Sequence, residues 1–111
     1  DALLGAAALG DIGMHFPDSD ERWRDADSIE LLRAAVALVH GAGYAIVNVD
    51  VTVAMEAPRL GAAREEMRAR LAAALGVAAG AVNVKATTGE GIGFVGRGEG
   101  VAALAIATLD G

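Results

Sequence analysis

The sequence predicts an α+β domain in which helices pack on one side of a mixed β-sheet. Three observations carry that reading. Residues 45–55 alternate between two faces over eleven positions, the period of a strand with one buried side. Residues 27–39 and 62–75 repeat apolar side chains at three- and four-residue spacing, the period of a helix packed along one stripe. Residues 101–109, VAALAIATL, are apolar on both faces, as in a strand that is central or covered on both sides. The order is helix, loop, helix, strand, helix, strand, loop, strand, and such segregated helices over a sheet form a layered sandwich.

The chain has 111 residues, enough for one domain, and 54% apolar content supplies its core from Ala, Val and Leu rather than aromatics. No apolar run reaches the 18 residues of a membrane span, and the first residues show neither a basic leader nor a cleavage pattern. The absence of cysteine excludes disulfides and thiolate metal sites and fits a reducing compartment. A net charge of −6 argues against general nucleic-acid binding. An acidic chain that binds a polyphosphate must concentrate cations, metal and N–H groups locally.

Residues 1–10 read as a helix with Leu3, Leu4, Ala7 and Leu9 apolar and Gly10 as its stop. A helix beginning at the first residue leads us to expect an upstream segment. Residues 11–27 read as a loop, punctuated by Gly13 and Pro17, with seven charges between Asp18 and Asp27. A loop of that length reads as either a solvated acidic connection or a binding lid, with a mild tilt to the second. His15 receives no role. In the helix that follows, Asp27 and Glu30 have the spacing of a capping box, and Leu32, Ala35, Val36 and Val39 form the stripe. Gly41 and Gly43 end it.

In the strand at 45–55, Ala45, Val47, Val49, Val51, Val53 and Met55 share one face. Ile46, Asn48, Asp50, Thr52 and Ala54 share the other, which faces water in a monomer or lines an interface or channel in an oligomer. The next helix carries Arg64, Glu65, Glu66, Arg68 and Arg70 as a solvated face, with Glu66 and Arg70 an i, i+4 pair worth about 0.3 kcal/mol. Gly76 caps it, and residues 81–87 form the second strand. Three strands leave two edges open, which an oligomer or upstream strands would cover.

Between the last two strands lies KATTGEGIGFVGRGEG, residues 85–100, with six glycines. Among them stand Thr87, Thr88, Glu90, Glu99, Lys85, Arg97 and Phe94. Hydroxyls and N–H groups suit phosphate oxygens, a carboxylate suits magnesium, and a guanidinium fork matches phosphate. One reading is a site for a phosphorylated ligand with a metal. The other is a glycine-rich hairpin with solvated polar residues, which local composition alone slightly favours.

The motifs DALLGAAALGDIG, FPDSD, ADSIELL, NVDVT, EAPR, VNVKATT, GF and GRGEG, in that order, closely resemble the 2-C-methyl-D-erythritol 2,4-cyclodiphosphate synthase family of the non-mevalonate isoprenoid pathway. The match runs along essentially the whole chain. The resemblance implies a homotrimeric lyase with active sites shared between subunits, in a bacterial cytoplasm or, in a plant, the plastid stroma, the cytoplasm being preferred. Its substrate is 4-diphosphocytidyl-2-C-methyl-D-erythritol 2-phosphate. Asp11 and Gly13, with Ile12 between them, match positions that hold the ribose. Phe16, Pro17, Asp18, Ser19 and Asp20 match a loop over the methylerythritol end. Met55, Glu56, Ala57, Pro58, Arg59, Leu60 and Gly61 match the cytosine cradle, made largely of backbone groups. Thr87, Thr88, Gly89 and Glu90 match the diphosphate-holding stretch, with Thr88 as transition-state stabiliser and Glu90 as ligand of a magnesium or manganese ion. Phe94 and Arg97 match substrate contacts, and Arg97 with Glu99 faces the trimer-axis cavity.

Two departures accompany the resemblance. Gly89 stands where the family commonly has Thr, a change expected to loosen the loop, and Arg59 stands where Lys is common. The family's zinc ligands precede the first residue here, so His15 and His40 are not zinc positions. These 111 residues alone are therefore expected to lack turnover. The alternative is a trimeric protein that binds cytidine nucleotides or isoprenoid diphosphates without catalysis.

Overall fold

The computed structural model describes residues 1–20, 27–56, 61 and 63–111. Ala57, Pro58, Arg59 and Leu60 of the expected cytosine cradle lie outside the described residues, as do residues 21–26 of the acidic stretch and Ala62. The helices are α1 (Ala2–Ala6), α2 (Ile12–His15), α3 (Ser28–Gly41), α4 (Ala63–Leu75) and α5 (Gly93–Gly96). The strands are β1 (Ala45–Ala54), β2 (Val82–Thr87) and β3 (Ala102–Asp110). They form one three-stranded sheet in the order β2-β1-β3. β1 runs parallel to β2 and antiparallel to β3, so the sheet is mixed as expected.

α1, α3 and α4 cover one face. Leu3 and Ala7, Val36 and Val39, and Ala72 and Leu75 meet Ile46, Val49 and Val82 in a single buried cluster. α3 starts where the sequence placed it, because the Asp27 carboxylate accepts the Ile29 N–H at 2.8 Å. It closes over Gly43, whose φ of +94° favours glycine. An apolar cavity of about 270 Å³ remains under the helix layer, lined by Leu4, Leu31, Leu71, Leu75, Val51 and Ala105 among others.

Five expectations are corrected. α1 ends at Ala6, four residues before Gly10. Ala8 takes a left-handed φ of +57°, and the Leu9 N–H closes back on the Leu4 carbonyl at 2.8 Å, a C-terminal motif that needs no glycine once the wrap is held. Residues 12–15 are helical rather than loop. Asp11 caps that turn through Met14 N–H at 3.0 Å, and Asp1 accepts from Ile12 N–H at 2.8 Å.

β1 does not keep one face throughout. Its pairing to β3 slips between Ile46 and Asn48. The bulge leaves Val47 half exposed and puts Ile46 on the same buried side as Val49. An extra residue in one strand reverses which parity faces the core.

The charged face of α4 is not wholly solvated. Arg68 Nε donates to the Val82 carbonyl at 2.8 Å, satisfying an acceptor on the edge strand β2. The Glu66–Arg70 pair forms at 3.1 Å on the open surface. Finally, among the described residues β3 is an outer strand of the sheet rather than a central one. Its helix-side residues, Ala105 and Ala107, line the cavity, while Leu104 and Ile106 on the other side are 67% and 71% exposed.

Candidate functional site

β1 and β2 end together and deliver the glycine-rich segment. The Met55 N–H donates to the Thr87 carbonyl at 3.0 Å, extending the parallel ladder one step past Ala54↔Thr87. The next side chain, Glu56, crosses to the segment that follows β2. Its Oε1 accepts the Gly89 N–H at 2.7 Å and lies 3.4 Å from the Gly91 nitrogen. Between those two glycines Glu90 sits at φ +50°, a conformation non-glycine residues seldom adopt. Its N–H donates to Thr88 Oγ1 at 3.2 Å. The Thr88 hydroxyl therefore uses an acceptor site locally and keeps its proton for another partner.

The segment then turns on itself. Ile92 N–H returns to the Gly89 carbonyl at 2.9 Å, and α5 follows with Val95 buried as its anchor. Gly89 does not loosen this loop. A Cβ there would stand 2.7 Å from the Gly96 nitrogen, so close backbone packing rather than freedom occupies the missing side chain's space. Phe94 is half exposed, and its ring lies against Gly100, where a Cβ would meet it at 3.2 Å.

Both cations of the segment already have carboxylate partners. Arg97 reaches Glu99 through Nε at 2.7 Å and Nη2 at 3.3 Å, spending its fork on a neighbour. Lys85 Nζ donates to Asp50 Oδ2 at 2.8 Å on the sheet face opposite the helices, where Asn83 also reaches Asp50 at 3.3 Å. The hydrogen bond from Lys85, against a smaller opposing effect of desolvation, holds the Asp50 carboxyl below the usual aspartate range. A depressed folded-state pKa adds stability above the ordinary value near 3.9 that is lost as pH falls through the depressed one. Acid unfolding of Asp50→Asn is thus expected to be less steep below about pH 4. Denaturant midpoints measured from pH 6 downward check this, and parallel curves for both proteins would refute it.

Asp11, Ile12, Gly13, Phe16, Pro17, Asp18, Ser19 and Asp20 are carried by α2 and the turn behind it, where Asp20 N–H bonds the Pro17 carbonyl at 3.0 Å. That segment is tied back to Asp1 and Leu9, the latter through the His15 ring. Gly61 ends the β1–α4 connection at φ +44°. The structure thus joins Met55, Glu56, Thr87, Thr88, Gly89 and Glu90 into one hydrogen-bonded unit and supports the Asp11 segment separately. The Glu56 side chain was missed as an organiser, since its partners are 33 and 35 positions away.

Among the described residues no group of three or more His, Cys, Asp or Glu is placed to hold a metal. That donor set does not fit zinc. The exposed carboxylate of Glu90 beside a hydroxyl does fit magnesium, which takes one or two carboxylates and completes its shell with phosphate oxygens and water.

A model of the YgbB family matches residues 1–110. The chain belongs to the YgbB family. The 2-C-methyl-D-erythritol 2,4-cyclodiphosphate synthase of Salinibacter ruber is 62% identical over 109 residues, covering 98% of this chain and 69% of that protein. The bifunctional enzyme IspD/IspF of Anaeromyxobacter sp. (strain Fw109-5) is 61% identical, covering 98% of this chain but 28% of its own length. Among solved structures, a 2C-methyl-D-erythritol-2,4-cyclodiphosphate synthase in a CDP-bound form superposes with a TM-score of 0.90 at 34% identity, covering 99% of this chain and 71% of that one. The bifunctional IspDF of Campylobacter jejuni gives 0.93 at 42% identity, covering 98% of this chain and 30% of that one. This YgbB chain therefore spans about two thirds of its single-function relatives and under a third of the bifunctional ones. The family read from the motifs is the family of these relatives, and the mixed sheet with one helix layer is their fold.

Proposed function

We propose that this chain is the substrate-cradling part of a cyclodiphosphate synthase. The observation that carries the reading is the braced Thr88–Glu90 stretch, in a chain 62% identical to a protein of that name. The reaction is intramolecular phosphoryl transfer. An oxygen of the substrate's 2-phosphate forms a bond to the β-phosphorus, the bond from that phosphorus to the α,β-bridging oxygen breaks, and CMP leaves with the electron pair. Folding the substrate back on itself supplies proximity, so positioning and charge neutralisation are the protein's task. Thr88, its hydroxyl proton unspent, donates to a phosphoryl oxygen of the diphosphate. Glu90 holds magnesium or manganese, which neutralises diphosphate charge when bound. The Met55–Gly61 connection receives the cytosine, and the Asp11–Asp20 segment the ribose and methylerythritol end. Arg97 and Phe94 border the same ligand.

A homotrimer with shared sites is part of this reading. The support is the sheet face opposite the helices, where Leu104 and Ile106 stand exposed beside the Asp50–Lys85 pair. A bacterial cytoplasmic setting completes it, in keeping with the bacterial relatives and the absence of cysteine. The test is calorimetry with CDP and magnesium, phosphorus NMR with the substrate, and sedimentation of the same sample. The 111 residues alone are expected to bind CDP, to sediment as three chains and to release no CMP. Absence of CDP binding would overturn the reading. CMP release at the rate of a full-length relative would overturn only the claim that these residues lack turnover.

A further inference from the structure

We propose that Glu56 is a positioning residue whose carboxylate couples the connection leaving β1 to the loop that sets Thr88 and Glu90. The proposal rests on the cyclodiphosphate synthase reading and adds a device to it. Met55 and Glu56 act in sequence on the same target: the first bonds Thr87 through its backbone, the second takes the Gly89 N–H and approaches that of Gly91 through its side chain. An anion accepting an N–H at 2.7 Å makes one of the stronger hydrogen bonds a protein forms. The two glycines flank Glu90, which is held at φ +50°. A residue in that conformation persists only where its surroundings over-determine it. Glu56 on one side and the Gly89–Gly96 packing on the other do so.

The arrangement also decides how this loop meets a diphosphate. The N–H groups of Gly89, Glu90 and Gly91 are directed to Glu56 and Thr88. They do not form an open cradle for phosphate oxygens. Diphosphate charge is left to the Thr88 hydroxyl and to metal on Glu90, both of which depend on the brace for their position.

The test uses the full chain, its Glu56→Ala and Glu56→Gln variants, amide exchange by NMR, and calorimetry with CDP or CMP in magnesium. In Glu56→Ala, the Gly89 and Gly91 amides are expected to exchange about tenfold faster, while those of Val82 and Val84 in β2 are unchanged. CDP is expected to bind about tenfold more weakly and CMP less than about threefold so. Glu56→Gln keeps an acceptor oxygen without the charge and is expected to fall between the two proteins. Unchanged exchange at Gly89 and Gly91 overturns the proposal. So does unchanged or tighter CDP binding in Glu56→Ala, tighter binding meaning that the carboxylate occupies the phosphate's place. Parent protein that binds neither nucleotide overturns the synthase reading instead, and exchange then decides the brace alone.

Discussion

Leu75→Ala is expected to cost about 2–5 kcal/mol of folding stability. Leu75 is 1% exposed and closes the last turn of α4 onto α1, α3 and the sheet. The loss has two parts. Apolar surface is no longer withdrawn from water, and the space left behind loses its dispersion contacts unless neighbours collapse into it. Leu75 also lines the apolar pocket of about 270 Å³ beneath the helices. Deleting the side chain widens that half-open pocket. Leu75→Met keeps the volume and is expected to cost less than about 1.5 kcal/mol. Urea unfolding of both variants measures the difference. A loss under 1 kcal/mol for the alanine variant would show that the helix layer is plastic enough to close the cavity. Domains of this size have roughly 5–15 kcal/mol to lose, so the upper end would bring the chain near its folding threshold.

Gly96→Ala is expected to damage the glycine loop more than any other single methyl. A Cβ at Gly96 would stand 2.2 Å from the Gly91 carbonyl carbon and 2.7 Å from its Cα. Both are backbone atoms, so no side-chain rotation relieves the clash. Gly91 would have to move, and with it the φ of +78° it adopts and its approach to Glu56. Overpacking of this kind costs about 1–3 kcal/mol, and CDP binding is expected to weaken with it. Gly5→Ala is the control. Gly5 lies within α1, a Cβ there meets nothing within 4 Å, and alanine is expected to stabilise the helix by about 0.5–1 kcal/mol. Thermal melts and CDP titrations of the pair separate a specific close approach from a general effect of losing glycine. Parent-like stability and CDP affinity in Gly96→Ala would mean that the two backbones do not approach in solution.

Much of the architecture was legible in order along the chain. Asp27 marked the start of α3, Gly43 its exit and Gly76 that of α4, because caps and left-handed positions are local requirements that single residues meet. β1 was legible through its period of two and β3 as a short apolar run. The ordered motifs from DALLGAAALGDIG to GRGEG made the family legible as well. Other expectations failed where the deciding partner was remote. The bulge at Val47 exists only against β3, so period two in β1 could not reveal it. Arg68 looked like one charge in a solvated run because the Val82 carbonyl it satisfies lies 14 residues away. Gly89 looked like slack because the Gly96 backbone that fills its missing side chain's space is brought in by the fold.

The sequence by itself determined the two long helices with their apolar stripes, the three strands and the chemical types available at the loop, since each follows from spacing and from what one residue can do alone. It also placed Thr88 and Glu90 two positions apart, with Gly89 between them. Only the tertiary structure decided which strand lies at the edge, which carboxylates pair with Lys85 and Arg97, and what holds the loop in shape. β3 is apolar on both faces, yet it is an outer strand with Leu104 and Ile106 exposed, because strand order is a property of the sheet and not of the strand. Glu56 became the brace for the same reason: a carboxylate's role is set by the N–H groups that the fold brings to it, not by its neighbours in the chain.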